Sequence, residues 1–186
     1  MKIFLGGQVS IFFLTISVSV NCQNLTFLGG LQTAFPNGNL KYSAGIGVGV
    51  FGKFDYRLTE RLSAIASIDG ISFSQKSTTL NIIPTPIEVK TKVGIETLQL
   101  GGRFNLVKGI RGNLYVSSEL GVSETRFNIT GNGNTATTND YYFCYQYGLG
   151  YSLKRWDARW SQQFISSGSN SLNFFALQLG YLMRFK

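Results

Sequence analysis

Apolar residues fall at every second position along most of this chain. In the closing stretch FFALQLGYLMRFK, Phe175, Leu177, Leu179, Tyr181, Met183 and Phe185 share one parity, while Ala176, Gln178, Gly180, Leu182 and Arg184 lie between them. A period of two marks a strand, because successive side chains point to opposite faces. The same alternation runs through LTFLGGLQTAF, GIGVGVFGKFDYRL, LSAIASIDGISFS, ETLQLGGRFNL, NLYVSSELGVS, YYFCYQYGLGYSLK and DARWSQQFI. In LSAIASIDGISFS the phase slips near Gly70, where a β-bulge is expected. With the tail, these segments predict eight strands.

The connections alternate in length. Residues 58–61, 107–112 and 155–157 are short links; residues 36–40 and 166–171 are modest loops. Residues 76–94 and 128–140 read as long loops. Short links at one end and long ones at the other describe an up-and-down meander of transmembrane strands, each roughly ten residues plus its connection. An even strand count puts both termini on the short-link side. The fold class expected is all-β, an eight-stranded antiparallel up-and-down transmembrane β-barrel.

Charge decides which face is inside. Lys53, Asp55, Arg57, Asp69, Arg103, Glu119, Arg159 and Arg184 all lie on the polar parity, and the apolar parity carries almost none. A charge at the bilayer midplane costs about 2–4 kcal/mol, so these eight residues are expected to form a charge network in the lumen. Asp69 and Glu119 are expected to pair with Arg103 or Arg184. Gly45, Gly47, Gly49, Gly101, Gly148 and Gly150 would make room beside the long side chains, and Phe51 and Tyr115 would fill the lumen. A soluble lipocalin-like barrel is the rival; it would turn the apolar parity inward. The row Tyr141, Phe143, Tyr145, Tyr147 and Tyr151 would crowd such a core but suits a lipid-facing surface with its aromatic girdles.

The front of the chain reads as a secretory signal. Lys2 precedes an apolar run at residues 11–20 that is too short to span a bilayer as a helix. Cleavage after Cys22 would divide the chain into a signal peptide at 1–22 and a barrel domain at 23–186, leaving 164 residues. A lipidated Cys22 is the alternative. Cys144 would then be the single cysteine, without an intrachain partner, and serves best as a small space-filling side chain.

At this point the sequence resembles the PorT-like outer-membrane β-barrel proteins of Bacteroidota, small barrels of the OmpA/OmpX kind. The resemblance rests on ETLQLGGRFNL, LYVSSELGVS, YGLGYSLKRWDARWSQQFISS and NFFALQLGYLMRF, with weaker support from GVGVFGKFDYRLTERL, and it covers about the C-terminal half. It implies a barrel in the outer membrane of a Gram-negative bacterium. Some members of the family serve type IX secretion, but here the resemblance carries the fold rather than that role.

Candidate chemistry is sparse. The chain has no His, which removes His-dependent nucleophilic catalysis. The carboxylates are scattered, so neither a metal site nor a cofactor is expected and the protein reads as no enzyme. Gly47, Gly49 and Gly52 spell a dinucleotide-type G-x-G-x-x-G, yet strand alternation continues beyond it where the motif needs a helix. The net charge of +8 is spread out with no stripe of interleaved aromatics, so no nucleic-acid partner is expected. Arg57, Arg61, Lys108, Arg111, Lys154, Arg155 and Lys186 gather at the short-link end, either anchoring at lipid headgroups or docking an acidic partner. In KSTTLNIIPTPIEVKTKVG, the residues Ile82, Ile83, Pro84, Pro86 and Ile87 form a candidate partner-contact loop. The expected partners are outer-membrane lipid, the barrel assembly machinery that reads the final strand, and an envelope protein complex. The expected work is structural, or binding through outer loops; a small-solute channel is the alternative, opposed by the bulky lumenal residues.

Overall fold

In the computed structural model the described residues are 24–80, 87–109, 112–131, 134–167 and 170–184, without the side chains of 78–80, 87, 170 and 184. The segment expected to be a signal peptide, the candidate partner-contact residues Ile82, Ile83, Pro84 and Pro86, and Arg111, Phe185 and Lys186 fall outside them. Eight strands form one closed ring in sequence order, each antiparallel to its neighbours. They are β1 (Leu25–Gly38), β2 (Ala44–Arg57), β3 (Leu62–Leu80), β4 (Ile87–Lys108), β5 (Asn113–Gly131), β6 (Asn134–Leu153), β7 (Trp156–Ser167) and β8 (Asn170–Arg184). One helical turn, α1 (Leu40–Ser43), joins β1 to β2. Closure through β1 and β8 leaves no unpaired edge within the barrel wall, which is what lets a sheet sit in lipid.

The register fixes the shape. Paired residues lead from Leu62 through Phe104, Val116, Leu149, Trp160, Leu177, Thr33 and Val48 back to β3 at Ser72, ten residues above the start. Eight strands with that stagger tilt by roughly 40° and enclose a space that side chains fill. The alternation is realised as expected. Val48, Val50, Leu98, Leu100, Leu120, Val122, Leu177 and Leu179 face outward, as does the row from Tyr141 to Tyr151. Among the described residues no helix is long and apolar enough to cross a membrane. An outer surface of aliphatic and aromatic side chains around a charged interior rules out the lipocalin-like arrangement, which requires the opposite faces.

Four expectations are corrected. The β2–β3–β4 pairing is regular through Gly70, opposite Val50 and Glu96. The irregularities lie between Ala44 and Gly47, between Ser72 and Lys76, and between Asn105 and Val107. The apparent slip arises because Ile71 and Phe73 are apolar residues on the inward parity. The lumen is therefore not polar throughout. Its half nearer the long connections is an apolar plug of Leu40, Ile71, Phe73, Val93, Ile95, Ile165, Leu172 and Phe174 with Ala34, Ala44, Cys144 and Ala176. Phe73 and Phe174 meet edge to face at 5.6 Å, and α1 exists to fold Leu40 over that plug.

The two long loops are mostly strand. β3 and β4 stay paired to Leu80 opposite Ile87, and β5 and β6 to Gly131 opposite Asn134. Pairing of β2 with β3 stops at Ala44 opposite Gln75, and that of β6 with β7 stops at Phe143 opposite Ser166. Strands β3–β6 therefore rise past their neighbours as a four-stranded sheet. Thr-rich stretches such as TTL and TATTN read as loop by composition, but cross-strand pairing gives them a ladder to extend.

Candidate functional site

The polar half of the lumen is built from the inward parity of all eight strands. Glu119 on β5 is its centre. Its Oε1 lies 2.5 Å from Arg159 Nη1 on β7 and 3.5 Å from Lys53 Nζ on β2, and its Oε2 accepts a hydrogen bond from the Ser67 hydroxyl on β3 at 2.6 Å. All four residues are buried. Two cations share one carboxylate, so each charge has an opposite neighbour in a place where an isolated one could not stay ionised. Glycine makes the space: a Cβ at Gly148 would sit 2.6 Å from Arg159 Nε, and one at Gly101 would meet the backbone of Ser118.

Above this triad, Asp69 accepts from the Thr97 hydroxyl at 3.1 Å and from the Gln178 amide at 3.4 Å. That same amide reaches Gln32 at 2.8 Å. Below it lies a second charged group. Arg103 places Nη1 3.3 Å from Asp55 and 3.9 Å from Asp157, and its Nη2 donates to Ser152 at 2.5 Å. Its guanidinium lies over the Tyr115 ring at 3.7 Å, and the Tyr115 hydroxyl donates to Asp157 at 2.6 Å. Arg suits this place because its planar fork can bond carboxylates edgewise while stacking on an aromatic face. Between the two groups a void of about 20 Å³, lined by Lys53, Asp55, Arg103, Tyr115 and Arg159 among others, has room for about one water.

The structure thus brings together Lys53, Asp55, Asp69, Arg103, Glu119 and Arg159. Arg57 is not part of the network: it lies exposed at the end of β2, past the last inward layer. The side chain of Arg184 lies outside the described residues, although its backbone pairs with Thr26. The expected partners are corrected as well. Glu119 takes Lys53 and Arg159 rather than Arg103, because Arg103 sits lower in the barrel, where Asp55 and Asp157 engage it. Asp157 escaped the sequence reading because it borders the tight turn, although it shares its parity with Arg159 and Ser161. The Tyr115 hydroxyl and the buried glutamines were likewise missed.

Each inward acid has a cation or hydrogen-bond donor, and no group of three or more Cys, Asp or Glu that could hold a metal exists among the described residues. The candidate partner loop falls in sequence between the paired ends of β3 and β4. Ile82, Ile83, Pro84 and Pro86 lie outside the described residues, and Ile87 is known by its backbone pairing with Leu80.

The exposed strand β6 is the other feature sequence reasoning missed. Its residues 134–142, NTATTNDYY, pair with β5 on one side and, among the described residues, carry no strand pairing on the other. This edge carries no Lys and no Pro, the usual devices against edge-to-edge pairing.

No family model matches the chain, and no curated protein matches it. Solved structures of small outer-membrane barrels share its fold. Ail, the attachment invasion locus protein of Yersinia pestis, is 13% identical and aligns over 86% of this chain and 97% of its own at a TM-score of 0.56. OprG from Pseudomonas aeruginosa is 12% identical over 87% and 96%, with a TM-score of 0.52. Neisserial surface protein A is 12% identical over 87% and 97%, with a TM-score of 0.51. At these identities the likeness concerns the fold.

Proposed function

We propose that this chain is a non-enzymatic integral outer-membrane β-barrel that binds a partner through the sheet raised above its outer rim. The observation that carries this reading is the free edge of β6 at residues 134–142. Such an edge offers a row of backbone donors and acceptors to an extended polypeptide, which can add to the sheet as a further strand. The partner is a surface polypeptide or a subunit of an envelope complex. Ail, which has a similar fold, is named for attachment and invasion. Outer-membrane lipid surrounds the apolar band, and the barrel assembly machinery inserts the chain by its last strand. The resemblance to PorT-like barrels would place the protein in Bacteroidota. A solute channel is disfavoured by the apolar plug and by the charged layers beneath it.

The test removes residues 77–90 and 126–139, which cuts away the unpaired β6 edge down to the turn that rejoins β5 and β6 near the rim. The shortened protein is expected to keep the heat-resistant gel mobility of a folded barrel. It should lose co-migration with any larger assembly in mild-detergent native gels of outer membranes, or lose adhesion if the wild type migrates alone. A shortened barrel that keeps both properties would refute the reading.

A further inference from the structure

We infer that the short-turn mouth of the barrel is a binding site for a carboxylate-bearing peptide of about dipeptide size. The placement of that mouth in the periplasm rests on the outer-membrane reading above. A polar cavity of about 350 Å³ opens there, at the lower end of the range for small-ligand sites. Arg57, Arg103 and Lys154 line it, with Asp55, Asn105 and Asn113 among the other walls. Among the described lining residues cations outnumber anions by three to one, and the carboxylate of Asp55 is already engaged by Arg103 at 3.3 Å.

The three cations differ in a way that suits recognition. Arg103 is held rigid at the floor by Asp55, Ser152 and Asn105 and by its stack on Tyr115. One N–H of its Nη2 remains available, since a guanidinium carries five donors. Arg57 and Lys154 stand at the opening, and among the described residues neither side chain has a hydrogen bond or ion pair. They come from different places, the end of β2 and the two-residue turn after β6. Lys154 holds a backbone φ of 53°, an uncommon conformation for a residue with a Cβ. Of the other basic side chains described at this end, Lys108 pairs with Glu60 at 3.3 Å, Arg155 donates to the Tyr181 hydroxyl at 2.9 Å, and Arg61 lies outside the cavity lining. A uniform lipid-anchoring belt would have turned Arg57 and Lys154 outward as well. Their convergence on a concave polar space instead fits an anion that enters it. The Asn105 and Asn113 amides can donate to, and accept from, the peptide group that carries the carboxylate.

The experiment is titration calorimetry of the refolded full barrel in detergent. Its probes are the acidic dipeptide Glu-Glu, Gln-Gln acetylated and amidated at its ends so that it carries no carboxylate, and inorganic phosphate. Wild type should bind Glu-Glu saturably and Gln-Gln not at all. The double substitution Arg57→Gln, Lys154→Gln should weaken Glu-Glu by about tenfold or more while keeping heat-resistant gel mobility, because both residues are exposed and support no other side chain. Equal binding of Glu-Glu by both proteins, or its absence in wild type, would overturn the site. Phosphate bound as tightly as Glu-Glu would overturn the peptide assignment. Orientation is checked apart from binding, with Lys154→Cys and a membrane-impermeant maleimide. Labelling only after permeabilisation supports a periplasmic mouth. Labelling of intact cells would overturn that placement and leave the binding result standing.

Discussion

Arg159 and Glu119, from strands β7 and β5, meet in the barrel interior with Nη1 and Oε1 2.5 Å apart and with almost no exposure to solvent. Lys53 shares the same carboxylate oxygen at 3.5 Å. Removing the acid by Glu119→Ala would leave two cations buried beside each other. Breaking one partner of a buried pair typically costs about 3–5 kcal/mol, and the loss here is expected at or above that range. Urea unfolding of the refolded barrel in detergent measures it. Replacing all three residues by apolar ones of similar volume should cost much less than the single change, since no charge is then stranded. A single variant as stable as wild type would show that the triad is hydrated enough to be dispensable.

Two glycines on opposite faces give a sharper contrast. A Cβ at Gly148 would press on Arg159 Nε at 2.6 Å and on the Trp160 carbonyl oxygen at 2.7 Å, whereas one at Gly70 would meet nothing within 4 Å. Gly148→Ala is therefore expected to destabilise by about 1–3 kcal/mol, as overpacking does. Gly70→Ala should change stability by less than about 0.5 kcal/mol. The same unfolding assay reads both, and a reversed order would mean that inward and outward faces had been exchanged.

The apolar plug makes a statement about permeation. Phe73 and Phe174 are fully buried under α1, and the Glu119 triad closes the lumen again beneath them. Wild type is expected to give no stepwise conductance in planar bilayers. Phe174→Ala should lower stability by about 3–5 kcal/mol, the usual range for a buried Phe, and still give no conductance, because the charged layer remains. Conductance from wild type would show that the plug opens.

The sequence carried the strand count, the order, the inward and outward parities and six of the charged lumenal residues, because period-two alternation is imposed by the backbone itself. It carried the ends of strands poorly. In the described parts of residues 76–92 and 128–140 neither face is buried, so the alternation fades while cross-strand pairing continues from Lys76 to Leu80 and from Asn134 to Asp140. Parity also cannot reveal depth. Ile71 and Phe73 sit on the same inward face as Asp69, and only the assembled barrel shows that one end of that face is charged and the other apolar. Arg57 failed for the same reason: its parity is that of Lys53 and Asp55, but it lies one step past the last layer, where the lumen has opened into the mouth cavity.

Leu100 offers the most direct test of the membrane reading itself. It lies on the outward face of β4, opposite Ala66 and Leu120 and 66% exposed. It is flanked by Leu98 on its own strand. If hydrocarbon surrounds this surface, Leu100→Arg places a guanidinium near the middle of the bilayer and should cost about 2–4 kcal/mol. If water surrounded it, the same change would replace an exposed apolar side chain by a charged one and cost almost nothing. The comparison is made by reversible unfolding from lipid vesicles. Thr135→Arg serves as the control, since that position lies on the β6 edge beyond the last β7 pair. A large loss at Leu100 with none at Thr135 locates the apolar band on the barrel wall and the raised sheet outside it. Equal, small effects at both positions would remove the lipid from the argument.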